Sequence, residues 1–270
     1  MNRAMIVTDL EGISCVDSIR AIYGARDETG AKMEDAAADR HACERLMADT
    51  NAAVRGALAG GAETVYVWDG HGGGNNFIPE LLDGRAVQVD GSTVMDIIGD
   101  CDALLCVGMH AKAGTPRAFL DHTQSSASIF DYRYNGISSG EITQECLFAG
   151  WFGIPCVALT GDRAACEEAG NVCPGVYTAE VKAAEVRNSA VCVDAQTAEA
   201  RIFEAAKAGY EHRRDFAPFT VSWPLEIEVT YLRTDFCDAI LRWRQDARRV
   251  DGRTLARTSN EIKSYMDILI

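Results

Sequence analysis

Two carboxylates lie two residues apart at the end of the first apolar segment of the sequence. Residues 4–8 are apolar apart from Thr8, and they are followed by Asp9 and Glu11, with Gly12 permitting a sharp turn. Because side chains on an extended backbone alternate between two sides, both carboxylates can leave the strand on the same side. They repel each other unless a proton or a cation lies between them, so the pair indicates a metal site or an acid–base site. The alternative is a pair of solvated acids at a strand end.

Histidines follow two later apolar segments in the same way. Segment 64–68 ends in Asp69-Gly70-His71, and segment 103–109 ends at His110. Each histidine could be a neutral side chain that binds a backbone carbonyl group. Because both follow a strand, coincidence is less plausible than a shared site.

Three further features could belong to that site. His122 lies in a loop away from a strand end, which suits a general acid–base or oxyanion-stabilising role better than a ligand role. Glu141 could complete a metal shell, or it could simply place a favourable charge at the start of a helix. Glycines 72–74 could cradle a phosphate group, but no Lys-Ser/Thr pattern follows, so a flexible turn is favoured.

Carboxylates and imidazoles in one cleft are the ligand set of a hydrolytic zinc site or a two-metal site, whereas carboxylates alone favour magnesium. A pair of metals a few ångström apart needs at least one bridging carboxylate, and Asp9 is the best candidate for it. Such ions deprotonate bound water near neutral pH and polarise a scissile carbonyl group. The residues therefore favour metal-assisted hydrolysis.

The elements that carry these residues alternate between strands and helices. A polar loop is predicted over 17–35, a helix then ends at Gly60-Gly61, and Gly140-Glu141 opens another helix that reaches about residue 152. Near-continuous apolar strands predict an α/β fold, with a mainly parallel sheet covered by helices on both faces. Ligands of such sheets bind at the carboxyl ends of the strands. The polar residues expected at those ends are Asp9, Glu11, Asp69, His71, His110 and Asp162.

The sequence changes character near its C-terminal end, where no strand is followed by clustered polar chemistry. We predict an α/β metal-binding catalytic core over 1–190 and a smaller α+β portion over 191–270 that packs on the core or forms an oligomer interface. The predicted elements of this region are a helix over 194–214, a strand over 225–232 and helices over 236–245 and 260–269. A hairpin is predicted within the core at 128–134, followed by the turn Asn135-Gly136.

Composition excludes several partners. The 270 residues are 47% hydrophobic and carry 40 acidic against 26 basic side chains, a formal charge of −14 that argues against nucleic acid and anionic membrane surfaces. No apolar run approaches the ~20 residues of a membrane span. The N-terminal residues favour a strand over a secretory signal, which predicts a cytoplasmic protein. The ten cysteines form no Cys-x-x-Cys pair, so a cysteine-zinc site is disfavoured and most are expected to pack as small apolar side chains.

These motifs together resemble the D-aminopeptidase family typified by the dipeptide-operon protein DppA, peptidase family M55. The resemblance runs in order through about Asp162, and five separated motifs make it specific. They are the segment 7–12, Asp69-Gly70-His71 with Asn75-Asn76, the segment 108–113, His122, and Asn135-Gly136 with Gly140-Glu141.

The resemblance implies a zinc-dependent aminopeptidase that removes N-terminal D-residues such as D-alanine from short peptides, or a related small-amide hydrolase. It implies two zinc ions, a catalytic role for His122 near the scissile bond, and a ring-shaped homodecamer. The zinc ligands that it implies are Asp9, Glu11, His71, His110 and Glu141.

Two other functions compete with this hypothesis. Residues 6–12 also resemble the first motif of haloacid-dehalogenase-type magnesium phosphatases, in which Asp9 would be the nucleophile and residues 160–162 a late acidic motif. That family normally has a second Asp where Glu11 stands and has no use for His71 or His110. The third hypothesis is a non-catalytic metal-binding module, which would hold an ion tightly without turning over any amide.

Overall fold

The computed structural model describes residues 2–23 and 36–270, so most of the predicted loop 17–35 lies outside the described residues. Among the described residues, no helix combines the length and the apolar character needed to cross a bilayer. The helices are α1 (Arg20–Tyr23), α2 (Ala36–Ala59), α3 (Val94–Ile97), α4 (Glu141–Trp151), α5 (Arg163–Val172), α6 (Ala195–Glu211) and α7 (Thr234–Ile240). Short 3-10 helices lie at Pro79–Leu81, Ile98–Asp100, Arg213–Asp215 and Tyr265–Ile268.

The strands form two sheets. Seven of them are β1 (Arg3–Thr8), β2 (Thr64–Asp69), β3 (Ala86–Val89), β4 (Ala103–Met109), β7 (Cys156–Asp162), β8 (Tyr177–Val186) and β9 (Ser189–Cys192). They lie in the order β3-β2-β1-β4-β7-β8-β9, and all neighbours are parallel except β8 and β9. The predicted α/β fold with a mainly parallel sheet is therefore confirmed.

The second sheet is antiparallel. Its strands are β5 (Ile129–Tyr134), β6 (Ile137–Ser138), β10 (Leu225–Tyr231), β11 (Arg248–Arg249) and β12 (Thr254–Ser259), in the order β11-β12-β10-β5-β6. The predicted hairpin forms its β5–β6 edge. The sheet takes strands from both sides of residue 190, so the predicted core and C-terminal portion share it. Their division into separate units stays a prediction.

Alternating side chains of the central strands divide the core into two layers. Ala4 and Ile6 of β1 pack with α2 and α6 on one face of the large sheet. Met5 and Val7 pack with α4, α5 and the inner face of the second sheet on the other. This alternation on a strand buried from both sides is the reason that the segment is apolar throughout.

The close approach of β1 and β4 places the carboxylates of Asp9 and Glu11 beside His110. The Asp9 amide donates to the Val107 carbonyl oxygen at 2.8 Å, and the Gly12 amide donates to the Gly108 carbonyl oxygen at 2.7 Å. A Cβ atom on Gly12 would clash with the Met109 carbonyl oxygen, so only glycine lets the turn after Glu11 lie against β4. The Asp9–Glu11 pair therefore lies next to the C-terminal end of β4, which His110 follows.

Several local predictions fail outside the catalytic region. The predicted helix 260–269 is only the 3-10 helix Tyr265–Ile268, and the predicted helix 236–245 corresponds to Thr234–Ile240. Sequence analysis also missed strands β8, β9 and β12.

Candidate metal centre

Asp9, Glu11 and His71 form the first half of the centre. The His71 Nδ1 atom lies 2.8 Å from Asp9 Oδ1 and 3.0 Å from Glu11 Oε2. Strands β1 and β2 are parallel neighbours, and so their carboxyl ends bring the three side chains together. Both carboxylates are almost completely buried, which is costly for charged groups without a compensating cation.

His110, Glu141 and His122 form the second half. The His110 Nε2 atom lies 3.2 Å from Glu141 Oε1 and 3.2 Å from Asp9 Oδ2, and the His122 Nε2 atom lies 3.7 Å from Glu141 Oε1. Glu141 begins α4, and its Oε1 atom also accepts the backbone N–H of Gln124 at 2.8 Å. Asp9 therefore contacts both halves, with a different oxygen facing each.

In His110 and His122, a backbone carbonyl group determines that Nδ1 carries a proton. The Nδ1 atom of His110 lies 2.9 Å from the Ala111 carbonyl oxygen, and that of His122 lies 2.8 Å from the Leu120 carbonyl oxygen. Because a carbonyl oxygen can only accept, each Nδ1 carries a proton, and the Nε2 atom of each ring faces the carboxylates. The two rings stack with centroids 4.0 Å apart. In metal sites, a hydrogen bond from one ring nitrogen to a carbonyl oxygen commonly orients a histidine ligand in this way.

The donor set fits divalent metal. Asp9 Oδ2 and His110 Nε2 are buried, and neither has a hydrogen-bond partner among the residues described. In each half, the three potential ligand atoms lie within 4.8 Å of one another. Histidine nitrogens and carboxylate oxygens are the usual ligands of zinc in hydrolytic sites, so this set of atoms fits a divalent metal.

The charges of the centre are strongly coupled. Burial, together with the Glu11 charge, raises the pKa of Asp9 to about 7. Burial opposes protonation of His71, but its hydrogen bonds to Asp9 and Glu11 outweigh this and raise its pKa to about 11. Burial and the neighbouring His110 lower the pKa of His122, which keeps its imidazole neutral near pH 7. A cation held by the carboxylates would take the place of the proton that His71 supplies.

Two residues expected at the strand ends do not join the centre. Asp69 accepts hydrogen bonds from the backbone and side-chain amides of Asn76, at 2.7 and 3.1 Å, and so holds the loop that carries His71. Asp162 caps α5 by accepting the Ala165 N–H and also accepts the Phe119 N–H. Both are acids whose oxygens satisfy nearby amide groups, which position in the sequence alone does not reveal.

Sequence analysis missed a buried lysine beneath the centre. The Lys182 Nζ atom donates to the carbonyl oxygens of Glu11 and Val16, both at 2.7 Å, and lies 4.4 Å from the centroid of the Phe119 ring. Its side chain is buried, and burial lowers its pKa to about 8. Lys182 thus holds the backbone of Glu11, which carries one of the carboxylates of the centre.

We expect the substitution Lys182→Met to weaken both the fold and the centre. Two buried carbonyl groups would lose their donor, which should lower the free energy of unfolding by about 2–4 kcal/mol. Because the backbone of Glu11 would lose a hydrogen bond that holds it in place, zinc binding should weaken by about 10- to 100-fold. Urea unfolding and zinc titration against a competing chelator measure the two effects.

Lys263→Met is the matched control, since the Lys263 side chain is 73% exposed. It should leave zinc affinity at the wild-type value. Wild-type zinc affinity in Lys182→Met would show that Lys182 supports the fold without supporting the centre.

A group of cysteines also comes together, away from the centre. The thiols of Cys146, Cys156 and Cys173 are buried, and their sulfur atoms lie within 4.8 Å of one another. They pack among the apolar residues of the second core layer. These three cysteines are free thiols.

Comparison with known protein families identifies the family of this chain. The family model for peptidase family M55, described as D-aminopeptidase, matches residues 2–270. The chain belongs to the M55 D-aminopeptidase family. The resemblance seen in the sequence motifs is therefore confirmed, and the phosphatase hypothesis loses its support.

Two known proteins are similar to this chain. A D-aminopeptidase of Bacillus subtilis (strain 168) is 27% identical over an alignment of 180 residues, with 64% of this chain and 64% of the other covered. A solved structure superposes with a TM-score of 0.87 at 20% identity, covering 98% of this chain and 95% of the other. It is described as the Zn-dependent D-aminopeptidase DppA from Bacillus subtilis, a self-compartmentalizing protease. At that identity, the superposition shows that the two chains share a fold.

Proposed function

We propose that this protein is a zinc-dependent aminopeptidase that removes an N-terminal D-residue from short peptides. One observation carries the proposal: two groups of metal-ligating side chains meet at Asp9 in a chain of the M55 family. Both similar Bacillus subtilis proteins are described as D-aminopeptidases, which supports the substrate, and the one with a solved structure is described as Zn-dependent, which supports the metal.

Two zinc ions are proposed, with Asp9 shared between them. Glu11 and His71 would complete the ligands of one ion, and His110 and Glu141 those of the other. When bound, zinc ions polarise a scissile carbonyl group and lower the pKa of water.

The remaining groups act on the substrate. His122 has a neutral ring with its Nε2 atom facing the centre, so it can accept a proton at that atom and return it to the leaving amine. Asp9, Glu11, His71 and His122 are among the residues that line a cavity of about 350 Å³ at the centre. A cavity of this size is typical of sites that bind small molecules.

A substrate panel tests the activity. Purified protein is incubated with zinc and either D-alanyl p-nitroanilide, its L-isomer or p-nitrophenyl phosphate. We expect release of p-nitroaniline from the D-anilide with little turnover of the other two. Phosphate release without amide cleavage would contradict the proposal, and tight zinc binding without any turnover would favour a non-catalytic metal-binding module.

Removal of the metal tests the cofactor separately. Dialysis against a chelator should abolish hydrolysis and lower the melting temperature, and zinc should restore both. Zinc at about 100 times its dissociation constant stabilises the fold by about 2.7 kcal/mol for each site. Magnesium that restored activity as well as zinc would contradict the assignment of zinc.

We propose a homo-oligomer, with a homodecameric ring as the specific assembly. DppA is described as a self-compartmentalizing protease, which supports assembly. Several large apolar side chains of this chain are exposed, among them Phe130, Ile137 and Val191. Sedimentation velocity should give a single species of ten 29.2 kDa chains. A monomer at micromolar concentration would contradict the oligomer, and another closed ring would contradict only the decamer.

A cytoplasmic location is proposed as well. The chain has ten cysteines, and free thiols such as those of Cys146, Cys156 and Cys173 suit a reducing compartment, where thiols persist. Fractionation of the source cells, with immunodetection in each fraction, measures the location directly.

A further inference from the structure

A second cavity adjoins the metal centre. It has a volume of about 550 Å³, and His122 and Ser126 line both this cavity and the smaller one at the centre. A peptide whose scissile bond lies at His122 would therefore place its N-terminal residue near the carboxylates. The part of the peptide beyond that bond would enter the second cavity.

Among the described residues that line this second cavity, Lys112 is the cation that forms no ion pair with a carboxylate. Asp121 and Asp131 line it, but each already has an arginine partner: Asp121 lies 3.2 Å from Arg187, and Asp131 lies 2.6 Å from Arg133. Lys112 also lines the cavity. Its ammonium group donates to the Ser138 carbonyl oxygen at 3.1 Å and forms no ion pair with a carboxylate among the residues described.

The backbone at Lys112 is firmly held. Its N–H donates to Glu168 Oε2 at 2.8 Å, and its carbonyl oxygen accepts the Thr115 hydroxyl at 2.8 Å. Lys112 follows His110 by two residues, so one strand end delivers both a group of the metal centre and this cation. The position of the lysine relative to the centre is thereby fixed by the same backbone.

We propose that Lys112 binds the C-terminal carboxylate of the substrate, so that the enzyme selects dipeptides and other very short peptides with a free C-terminus. This inference rests on the proposed aminopeptidase function. An ammonium group recognises a carboxylate as a point charge, and a short peptide places its carboxylate only a few ångström beyond the scissile bond. Lys112, which lines the same cavity as His122 and forms no ion pair with a carboxylate among the residues described, provides that recognition. Longer peptides, and peptides with a blocked C-terminus, do not form this interaction.

The test compares a free acid with its neutral counterpart. The ratio of kcat/KM for D-alanyl-glycine to kcat/KM for D-alanyl-glycinamide reports the contribution of the carboxylate. We expect the wild-type ratio to be about 10 to 100, as for a hydrogen bond between charged groups. Lys112→Met should lower this ratio at least tenfold, mainly through KM for the acid, and Lys112→Arg should restore most of it.

Lys263→Met serves as the control for loss of a lysine elsewhere, and it should leave the ratio at the wild-type value. A wild-type ratio near one would overturn the carboxylate subsite while leaving the aminopeptidase proposal intact. Equal losses on acid and amide in Lys112→Met would overturn it too, since they would show a purely structural lysine. If the wild type cleaved neither substrate, the proposed function and this inference would fall together.

Discussion

The substitution Asp9→Asn is expected to remove zinc from the protein and to lower kcat/KM on a D-alanyl substrate by about 1,000-fold or more, equivalent to about 4 kcal/mol. Asp9 Oδ1 faces His71, and Oδ2 faces His110. The amide keeps the shape of the side chain but loses its negative charge and one acceptor oxygen. Both halves of the centre should therefore weaken together. Elemental analysis gives the metal content per chain, and steady-state kinetics gives the rate.

Asp162→Asn provides a matched control at another strand end. Asp162 is as deeply buried as Asp9, but its oxygens accept backbone amides of Phe119 and Ala165. This variant should retain wild-type zinc content and lose stability by about 1 kcal/mol, the typical value of a helix cap. If Asp9→Asn kept its full zinc content and rate, Asp9 would not be a shared ligand.

The central strands and their polar ends were predictable from local sequence. Each strand of the buried sheet is a short apolar run, and parallel strands present their carboxyl ends at one edge. Three such ends, after β1, β2 and β4, are enough to bring Asp9, Glu11, His71 and His110 together. The residue type at each end then indicates metal chemistry without any knowledge of the distances.

The missed strand β8 shows where local reasoning stops. Its sequence alternates buried small residues with exposed or half-buried polar ones, and Lys182 in its middle resembles a solvated side chain. The partner of that lysine, the Glu11 carbonyl oxygen, is 171 residues away along the chain. Only the order of strands in the sheet brings them together, and no local pattern encodes that order.

The wrong helix over 260–269 has a different cause. Its apolar spacing was compatible with a helix, but its backbone carbonyl groups find partners elsewhere: Tyr134 Oη donates to the Ile268 carbonyl oxygen at 2.7 Å, and Arg257 donates to that of Leu269 at 2.6 Å. Side chains of the second sheet thus satisfy the groups that helical hydrogen bonds would otherwise use. Tertiary contacts determine the conformation of this C-terminal segment.

The substitution His122→Ala is expected to lower kcat by about 100- to 10,000-fold while the zinc content stays at the wild-type value. The structure places the His122 Nε2 atom 3.7 Å from Glu141, close enough to move a proton near the centre. This variant keeps all five proposed ligands, Asp9, Glu11, His71, His110 and Glu141. A pH profile of kcat should lose the limb that reports a neutral imidazole.

The variants His71→Ala and His212→Ala are the positive and negative controls for this experiment. His71 contacts both carboxylates of the first half, so its loss should remove metal as well as rate, whereas His212 has a 52% exposed side chain and its loss should change neither. His122 also lies in the second group of potential ligands, with His110 and Glu141. If His122→Ala lost zinc in parallel with rate, as expected for His71→Ala, the imidazole would be a ligand. Proton transfer would then have to be assigned to another group of the cavity.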